Sequence, residues 1–423
     1  MDFVIEKVYG REILDSRGNP TVEVEVRTYS SDSRTRGFGR ASVPSGASTG
    51  SNEALELRDK DNRYRGKGVK TAVHNVNTIL GPKVVGMDVR RQREIDHIMI
   101  DLDGTDDKSS LGANSILGVS LAVARAAADS YEIPLYQYLG GVNSFTLPVP
   151  TLNILNGGQH AGNELSIQEF MIQPKGAETF REGLMWATET YHVLGDVLEK
   201  KYGNSATNVG YEGGYAPPIN QTNDAMEAIT EAIEEAGYTE DDITIGIDSA
   251  ATSFFDGEKY NMDGEKFTGC ELVDYYVEMV DTYPIIYIED GFHEEAFDDF
   301  AALGVELPDV INVGDDLFVT NVERFKQGIE MGACNALLLK VNQIGSLSEA
   351  FDAATTAEGN GYDVVVSHRS AETEDSTIAD ISVALGAELI KTGAPARSER
   401  TAKYNQLLRI EEELGKAAQY MRI

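Results

Sequence analysis

The sequence predicts an α/β protein in which a closed (β/α) barrel follows a smaller N-terminal α+β domain. Short apolar runs recur along the second half of the chain, and most of them end in a charged residue. The spacing of the later runs suits one strand and one helix each, which is typical of the parallel strands of a barrel. The first part of the chain differs, because alternating segments there are followed by helical patterns.

The N-terminal segment is predicted to form a small antiparallel sheet. Residues 3–28 alternate between apolar and polar in the manner of strands, and the turn sequence SRGNP divides them. A loop rich in glycine and hydroxyl groups, PSGASTG, follows at residues 44–50. Its hydroxyls, on Ser45, Ser48 and Thr49, could ligate an ion or a phosphate; the more common alternative is a solvated connector.

Helices are predicted to complete this first domain. Amphipathic patterns cover residues 70–80 and 90–102, and an apolar helix is predicted over residues 113–130. The pattern changes after the LGG that follows. We therefore expect an N-terminal α+β lid domain at residues 1–140 and a barrel domain at residues 141–423.

The barrel is predicted to open with two strands, at residues 148–155 and in the run IQEFMIQP. The loop between them, NGGQHAGNE, carries His160, and the second strand carries Glu169. A helix over residues 177–200 then leads to a second glycine-rich loop, GYEGGYAPP, which holds Glu212. Glu169 is either ion-paired in the core or reactive, and Glu212 is either a plain exposed acid or part of a site.

Charged side chains mark the ends of the later apolar runs. Lys340 lies near the end of the strand-like run ALLLKVNQIG at residues 336–345, where a lysine must be paired, functional or at the rim. Because the carboxyl ends of barrel strands meet at one face, with neighbours ~4.8 Å apart, we expect the charges to gather there. The alternative is that each charge only marks where a strand leaves the core. In chain order they are Asp248, Glu289, Asp315, Lys340, His368 and Lys391.

These residue types indicate metal-assisted acid–base chemistry. Asp248, Glu289 and Asp315 form an all-oxygen ligand set, which favours Mg²⁺ or Mn²⁺ over Zn²⁺. Lys340, near a second lysine, is expected to be neutral and therefore a base that takes a proton from the carbon next to a carboxylate. A bound metal stabilises the charge that develops on that carboxylate.

The other side of the site is predicted to hold an acid and a phosphate. Glu212 and Glu169, which come from separate glycine-rich loops, are candidates for protonating a departing hydroxide. Arg369 and Ser370 directly follow His368 and offer the forked donor and the hydroxyl that a phosphate prefers. The residues indicate a metal-assisted lyase or isomerase that acts on a phosphorylated acid, and they do not choose between the two.

The composition excludes some partners and indicates an environment. The formal net charge of −34 argues against binding to nucleic acid or to an anionic membrane. The acids are spread along a chain of ordinary hydrophobic content, which favours a solvated surface adapted to concentrated salt. Two cysteines without CxxC spacing, a start that lacks a signal-peptide core and the lack of a ~20-residue apolar run predict a soluble cytoplasmic protein.

The motifs resemble those of the enolase family along nearly the whole chain. They are DSRGNPTVEVEV, PSGASTG, HAGNELSIQEFMI, YEGGYAP, IEDGF, VGDDLFVTN, LLLKVNQIG, SHRSAETED and KTGAPARSERTAKYNQLLRIEEEL. The resemblance implies a lid domain on an eight-stranded TIM-like barrel with an antiparallel start, a homodimer or octamer, and two Mg²⁺ ions per active site. It also implies the reversible dehydration of 2-phosphoglycerate to phosphoenolpyruvate, in glycolysis and gluconeogenesis.

The same resemblance implies a role for each matched residue. Lys340 is the base that takes the C2 proton, Glu212 is the acid for the C3 hydroxyl, and Glu169 supports that acid. Tyr211 departs from the family pattern, in which an aspartate commonly precedes the acid, and this puts the pH optimum in question. Asp248, Glu289 and Asp315 match the first Mg²⁺ site and Ser48 the second, while His160, Glu169, Glu289, Asp315, Lys340, His368, Arg369, Ser370 and Lys391 match substrate contacts.

Two other functions fit part of this pattern. One is a superfamily relative that acts on a non-phosphorylated acid, and Arg369 and Ser370 argue against it. The other is a binding protein built on an inactive enolase scaffold, which the intact matched positions disfavour. Formation of phosphoenolpyruvate from 2-phosphoglycerate with Mg²⁺, and its loss with EDTA, would distinguish the three.

Overall fold

The computed structural model describes residues 3–30, 36–46 and 50–423. Its N-terminal part is a three-stranded antiparallel sheet in the order β1 (Phe3–Leu14), β2 (Pro20–Ser30) and β3 (Phe38–Ser42). The apolar residues of β2 alternate, and its three central valines are fully buried on one face. The predicted antiparallel sheet is confirmed.

A group of α-helices covers this sheet. They are α1 (Lys70–Asn75), α2 (Gly81–Val84), α3 (Gln92–Asp103), α4 (Ala113–Ser130) and α5 (Leu135–Gly140), with a π-helical turn at Val76–Leu80 between the first two. Helix α4 packs closely on β2 and β3. The approach is so close that a Cβ atom added to Gly39 would lie only 2.1 Å from the carbonyl oxygen of Ala122. Small residues on both elements therefore set the spacing of this layer.

The remaining strands include a closed barrel of eight. They are β4 (Thr146–Leu147), β5 (Val149–Asn156), β6 (Glu169–Gln173), β7 (Thr244–Asp248), β8 (Tyr260–Met262), β9 (Glu265–Phe267), β10 (Ile285–Glu289), β11 (Ile311–Gly314), β12 (Ala336–Leu339), β13 (Asp363–Ser367), β14 (Leu389–Lys391) and β15 (Gln419–Tyr420). The barrel order is β5–β6–β7–β10–β11–β12–β13–β14, closing back on β5. Strand β6 runs antiparallel to both neighbours and the other pairs are parallel, so the predicted eight-stranded barrel with an antiparallel start is confirmed.

Helices surround the barrel and connect its strands. They are α6 (Phe180–Tyr202), α7 (Thr222–Glu235), α8 (Gly269–Thr282), α9 (Phe297–Glu306), α10 (Val322–Met331), α11 (Val341–Ile344), α12 (Leu347–Gly359), α13 (Thr377–Leu385) and α14 (Ser398–Leu414). Polar residues begin several of them: Thr268 forms a reciprocal capping box with Glu271 at α8, and Asn321 accepts two backbone N–H groups at α10. Outside the barrel, β4 pairs with β15, and β8 with β9.

The interior of the barrel is a packed core. Its strands alternate, so that Leu338 faces inward while Leu337 and Leu339 face the surrounding helices. The inward-facing residues are Met171, Tyr287, Val313, Ala336, Leu338, Val365 and Leu389, all fully buried. This layer closes the barrel below its carboxyl-terminal mouth, which leaves only the mouth open for chemistry.

Two sequence predictions differ from the structure in their limits. The strand predicted over residues 336–345 ends at Leu339, and the next residues turn into the short helix α11. The helix predicted over residues 177–200 begins at Phe180, because the side chain of Thr179 accepts the backbone N–H of Glu182 and caps it there. None of the helices in the described part of the chain is long and apolar enough to cross a membrane.

Candidate active site

The predicted charges gather at the carboxyl-terminal mouth of the barrel. Because β6 is antiparallel, its first residue, Glu169, lies beside the last residue of β7, Asp248, and that residue in turn pairs in register with Glu289. The mouth contains a small polar cavity with a volume of about 20 Å³. Its lining consists of His160, Gln168, Glu169, Glu212, Asp248, Asp315, Lys340, Ser367, His368, Arg369, Ser370 and Lys391.

Two predicted site residues are not in that lining. Glu289 is fully buried behind it, and its Oε1 lies 2.8 Å from the Nζ of Lys391. Ser48, the predicted ligand for the second Mg²⁺, lies outside the described residues, as does Thr49. The neighbouring Ser45 is described, and it exchanges backbone hydrogen bonds with Ala371 at the barrel mouth. The lid and the barrel are thus joined beside the cavity.

Lys391 lies at the centre of a cluster of carboxylates. Its Nζ is 2.8 Å from Asp248 Oδ2, 2.8 Å from Glu289 Oε1 and 3.1 Å from Glu169 Oε2, and its side chain is 2% exposed. Burial acts to lower the pKa of Lys391, but the three carboxylates raise it well above its usual value. Lys391 therefore stays protonated.

Lys340 forms an ion pair with Asp315, which also accepts a hydrogen bond of 2.8 Å from Gln343. Burial and Arg369 act to lower the pKa of Lys340, but the carboxylates of Asp315 and Glu289 outweigh them, and the net shift is upward. The expectation of a neutral Lys340 is therefore wrong for this arrangement, because acids surround the amine more closely than cations do. The same pair helps to lower the pKa of Asp315, against the opposing effect of burial.

The predicted metal ligands lie at the ends of three strands of the barrel, but among the described residues they are not one of the groups whose ligand atoms all lie within 4.8 Å of one another. Asp248 and Glu289 already converge on one cation, the Lys391 ammonium, and Asp315 follows the next strand. Burial and the charges of Asp248 and Asp315 raise the pKa of Glu289 to about 8, against the effect of Lys391. Additional positive charge would relieve this repulsion, so the oxygen donor set fits Mg²⁺ or Mn²⁺.

Asp290 is a buried acid that the sequence analysis missed. It has a positive φ of 44° and accepts the backbone N–H groups of Asp315 and Asp316 at 2.8 Å each. One oxygen from each of these three acids lies within 4.8 Å of the others. Asp290 directly follows Glu289 in the sequence, so the second acid of the IED motif could have indicated a further buried carboxylate at the site.

The opposite wall of the cavity holds two glutamates around a histidine. His160 Nδ1 lies 3.5 Å from Glu169 Oε1 and 3.7 Å from Glu212 Oε1, and all three side chains are 3% exposed. Burial and the charge of Glu212 raise the pKa of Glu169 well above its usual value. Although burial opposes it, the neighbouring His368, His160 and Arg400 keep the pKa of Glu212 well below its usual value. The pKa values of the two carboxyl groups are thus shifted in opposite directions.

Tyr211 does not lie against the carboxyl group of Glu212. Its side chain is 46% exposed, and its ring lies 5.9 Å from the guanidinium carbon of Arg17. Its ring lies edge-on to the imidazole of His160, with 6.5 Å between the ring centroids, and its carbonyl oxygen accepts a hydrogen bond from Arg400. The second oxygen of Glu212 instead accepts a 3.0 Å hydrogen bond from Asn153, a partner that the sequence analysis missed.

Arg369 is held by a carboxylate from the lid. Its two terminal nitrogens each lie 2.9 Å from an oxygen of Glu53, and both side chains are buried. Ser370 is also buried. Sequence reasoning missed Glu53, although it follows the PSGASTG loop by only a few residues. The forked donor predicted for a phosphate is therefore aligned and already engaged by an anion.

Comparisons with known proteins cover the whole chain. A family model described as "Enolase, N-terminal domain" matches residues 5–139, and one described as "Enolase, C-terminal TIM barrel domain" matches residues 144–423. A protein named enolase from Methanosarcina barkeri is 68% identical over 423 residues, which covers 100% of this chain and 97% of the relative. Enolases from Methanococcoides burtonii and Thermococcus kodakarensis are 69% and 60% identical, with 100% and 99% of this chain and 98% and 97% of each relative covered.

Proposed function

This chain belongs to the enolase family, and we propose that its barrel mouth catalyses the reversible dehydration of 2-phosphoglycerate to phosphoenolpyruvate. This makes it a hydro-lyase of glycolysis, and of gluconeogenesis in the reverse direction. The observation that supports the assignment best is the single cavity with a lysine on one wall and a pair of glutamates on the other. Removal of a proton from one carbon and of hydroxide from the next requires groups on two sides.

Lys340 is the base that takes the C2 proton. Its amine reaches into the cavity from the end of β12, and Asp315 is the closest of the acids that keep it protonated. When Asp315 serves as a metal ligand, burial together with Arg369 and Lys391 favours the neutral amine. Lys391 is the less suited amine, because it forms ion pairs with three carboxylates and Lys340 with one among the described residues.

Glu169 and Glu212 supply the acid for the departing C3 hydroxide. Glu169 stores the proton, since its pKa is the raised one of the pair. Glu212 delivers the proton, as the family resemblance implies, and hydroxide leaves as water. His160 lies between the two carboxyl groups, with its Nδ1 3.5 Å from Glu169 Oε1 and 3.7 Å from Glu212 Oε1.

Asp248, Glu289 and Asp315 would hold a Mg²⁺ ion, and Ser48, as the family resemblance implies, would contribute to a second. When bound, Mg²⁺ stabilises the negative charge that develops on the substrate carboxylate after C2 deprotonation. Without it, two like charges ~4 Å apart repel by ~4 kcal/mol even at an effective dielectric of 20. The ammonium of Lys391 adds a fixed positive charge at the same place, and Lys391 is thus a substrate contact.

Arg369 and Ser370 bind the substrate phosphate, with His368 beside them. The bidentate contact of Arg369 with Glu53 supports this, because a phosphate presents two oxygens in the same geometry as a carboxylate. The phosphate competes with Glu53 for the guanidinium, which links substrate entry to the lid. A relative that acted on a non-phosphorylated acid would have no use for this forked donor.

The remaining properties extend this assignment. We place the division between lid and barrel at residue 140, and expect a homodimer or octamer in the cytoplasm without nucleic-acid or membrane partners. The net charge of −34 fits a protein adapted to concentrated salt, in which self-repulsion is screened.

The test is an assay of phosphoenolpyruvate formation by its ultraviolet absorbance, in molar KCl, with Mg²⁺ or with EDTA. We expect turnover of 2-phosphoglycerate with Mg²⁺ and none with EDTA. Turnover of glycerate but not of 2-phosphoglycerate would identify the non-phosphorylated alternative. A folded protein without activity toward either would identify an inactive scaffold.

A further inference from the structure

Arg400 is a buried cation at the rear of the cavity that none of the roles above uses. It lies in the first turn of α14, and its side chain is 0% exposed. Its nearest carboxylate is Glu399, whose Oε1 lies 3.8 Å from Nε. A buried charge of this kind is costly unless it is fully hydrogen-bonded, and Arg400 obtains its hydrogen bonds from the active-site loops.

The guanidinium of Arg400 contacts both loops that carry the acid and the phosphate donors. Nη1 lies 2.7 Å from His368 Nδ1 and donates to the carbonyl oxygen of Arg369 at 2.6 Å. Nη2 donates to the carbonyl oxygens of Ser370 at 2.7 Å and Tyr211 at 3.2 Å. One side chain thus joins the loop before Glu212 to the loop that binds phosphate.

The contact with His368 determines which ring nitrogen carries the proton. A guanidinium only donates hydrogen bonds, so Nδ1 must accept and the proton must reside on Nε2. His368 Nε2 lies 3.2 Å from Glu212 Oε2, although the pair does not have the geometry of a hydrogen bond in this structure. Burial and Arg400 lower the pKa of His368 to about 4, against the effect of Glu212, so the ring is neutral at pH 7 and has a single N–H.

We propose that Arg400 is a positioning residue that locks His368 in its Nε2–H tautomer and so places an N–H, rather than a lone pair, beside Glu212. In the other tautomer, the lone pair of Nε2 would face the Glu212 carboxylate and repel it. The contacts with the three carbonyl oxygens also hold Glu212 at a fixed distance from the phosphate donors. This inference rests on the proposed function, in which Glu212 delivers the proton to the leaving hydroxide.

The test separates the two halves of the reaction. Exchange of the C2 hydrogen of 2-phosphoglycerate with D₂O reports the base, and phosphoenolpyruvate formation reports base and acid together. We expect Arg400→Met to lower kcat for dehydration ~100-fold and to leave C2 exchange within about threefold, as expected for loss of an orienting partner of an acid. Arg400→Lys, which keeps a donor and a charge, should recover about tenfold of that loss.

Lys403→Met is the matched control. Lys403 is a buried cation one turn further along α14, and it binds Glu372 and the carbonyl oxygen of Thr373 in the same loop without contacting His368. Its loss should cost similar stability but lower dehydration and exchange in parallel, if at all. The proposal would be overturned if Lys403→Met also lowered dehydration while sparing C2 exchange. It would also be overturned if Arg400→Met lowered dehydration and exchange to the same extent.

A second pair of measurements applies even if Arg400→Met fails to fold. The first measurement adds Arg400→Lys to a His368→Gln variant, which has no imidazole tautomer left to fix. We expect the double variant to lose little more dehydration activity than His368→Gln alone, and fully additive losses would overturn the proposal. Selective ¹⁵N labelling of the six histidines, with His368→Gln to assign the signal, should show protonated Nε2 in the wild type. A protonated Nδ1 would refute the inference, whereas an inactive wild type with protonated Nε2 would refute only the proposed function.

Discussion

Replacement of Lys340 by methionine tests the base assignment most directly. The variant keeps most of the side-chain volume and removes the only amine that we assign to proton abstraction. The next amine, Lys391, is 2.8 to 3.1 Å from three carboxylates, and they raise its pKa well above the usual value. Because Lys391 is the only other lysine in the lining of the described cavity, we expect a loss at the upper end for acid–base catalysis, ~10⁴-fold in kcat.

The same substitution has a structural cost that must be separated from catalysis. Asp315 loses the ammonium but keeps the 2.8 Å hydrogen bond from Gln343. Breaking a buried ion pair from one side costs ~3–5 kcal/mol, and we expect the lower figure here because that donor remains. A 10⁴-fold loss of kcat corresponds to ~5.4 kcal/mol in the barrier and is measured on protein that is still folded.

The assay combines phosphoenolpyruvate formation with exchange of the C2 hydrogen in D₂O. Lys340→Met should lose both, since both begin with the same proton transfer. Lys403→Met also breaks a buried ion pair, 2.9 Å from Glu372, and should match the loss of stability while kcat stays within about threefold of wild type. If Lys340→Met kept near-wild-type exchange, or if Lys403→Met were equally inactive, Lys340 would not be the base.

Three further predictions concern the acids and the surface. Glu169→Gln and Glu212→Gln should each lower dehydration ~10²–10⁴-fold and spare C2 exchange, measured in the same paired assay; equal loss of both rates would place them on the base side. Burial raises the pKa of Asp380 to about 6, so the folded protein binds the proton of this carboxyl group more tightly than the unfolded chain does. The stability gained from this proton is fully present below the unfolded pKa near 3.8 and is lost as the pH rises through 6. Asp380→Asn should therefore raise the free energy of unfolding by up to ~3 kcal/mol at pH 7.5 and by little at pH 4, and equal effects at both pH values in denaturant titrations would contradict this. The melting temperature should rise from dilute buffer to molar KCl, because the net charge of −34 is then screened, and an unchanged value would count against salt adaptation.

The barrel could be predicted because its strands are buried on both faces. Continuous apolar runs that end in charges at one face follow from that burial, and the charges gather where the sequence indicates. The ends of the strands were harder to predict. The run that carries Lys340 continues as apolar sequence beyond Leu339, although the chain there turns into a helix. Hydrophobicity reports burial, and it does not report where hydrogen bonding to a neighbouring strand stops.

The partners of the site residues could not be predicted. Glu53 and Arg400 are far along the chain from the residues they hold, and their pairing depends on how the lid and the last helix pack on the barrel. The direction in which the pKa of Lys340 shifts in this arrangement could not be predicted for the same reason, since it depends on which acids lie closest. Tyr211 was singled out by its place beside Glu212, yet its half-exposed ring packs near His160 and Arg17, and its carbonyl oxygen accepts from Arg400.

The last long helix, α14, has a consequence for how the protein is made. The groups at the barrel mouth span the chain from Glu53 to Arg400, and α14 supplies the cation that ties two of its loops together. A chain still on the ribosome emerges from its N-terminus at ~5–20 residues per second, so the lid folds first and the mouth stays unfinished until almost the last codon. Nascent or truncated chains should therefore be inert and, with their acids unneutralised, the first targets of proteolysis.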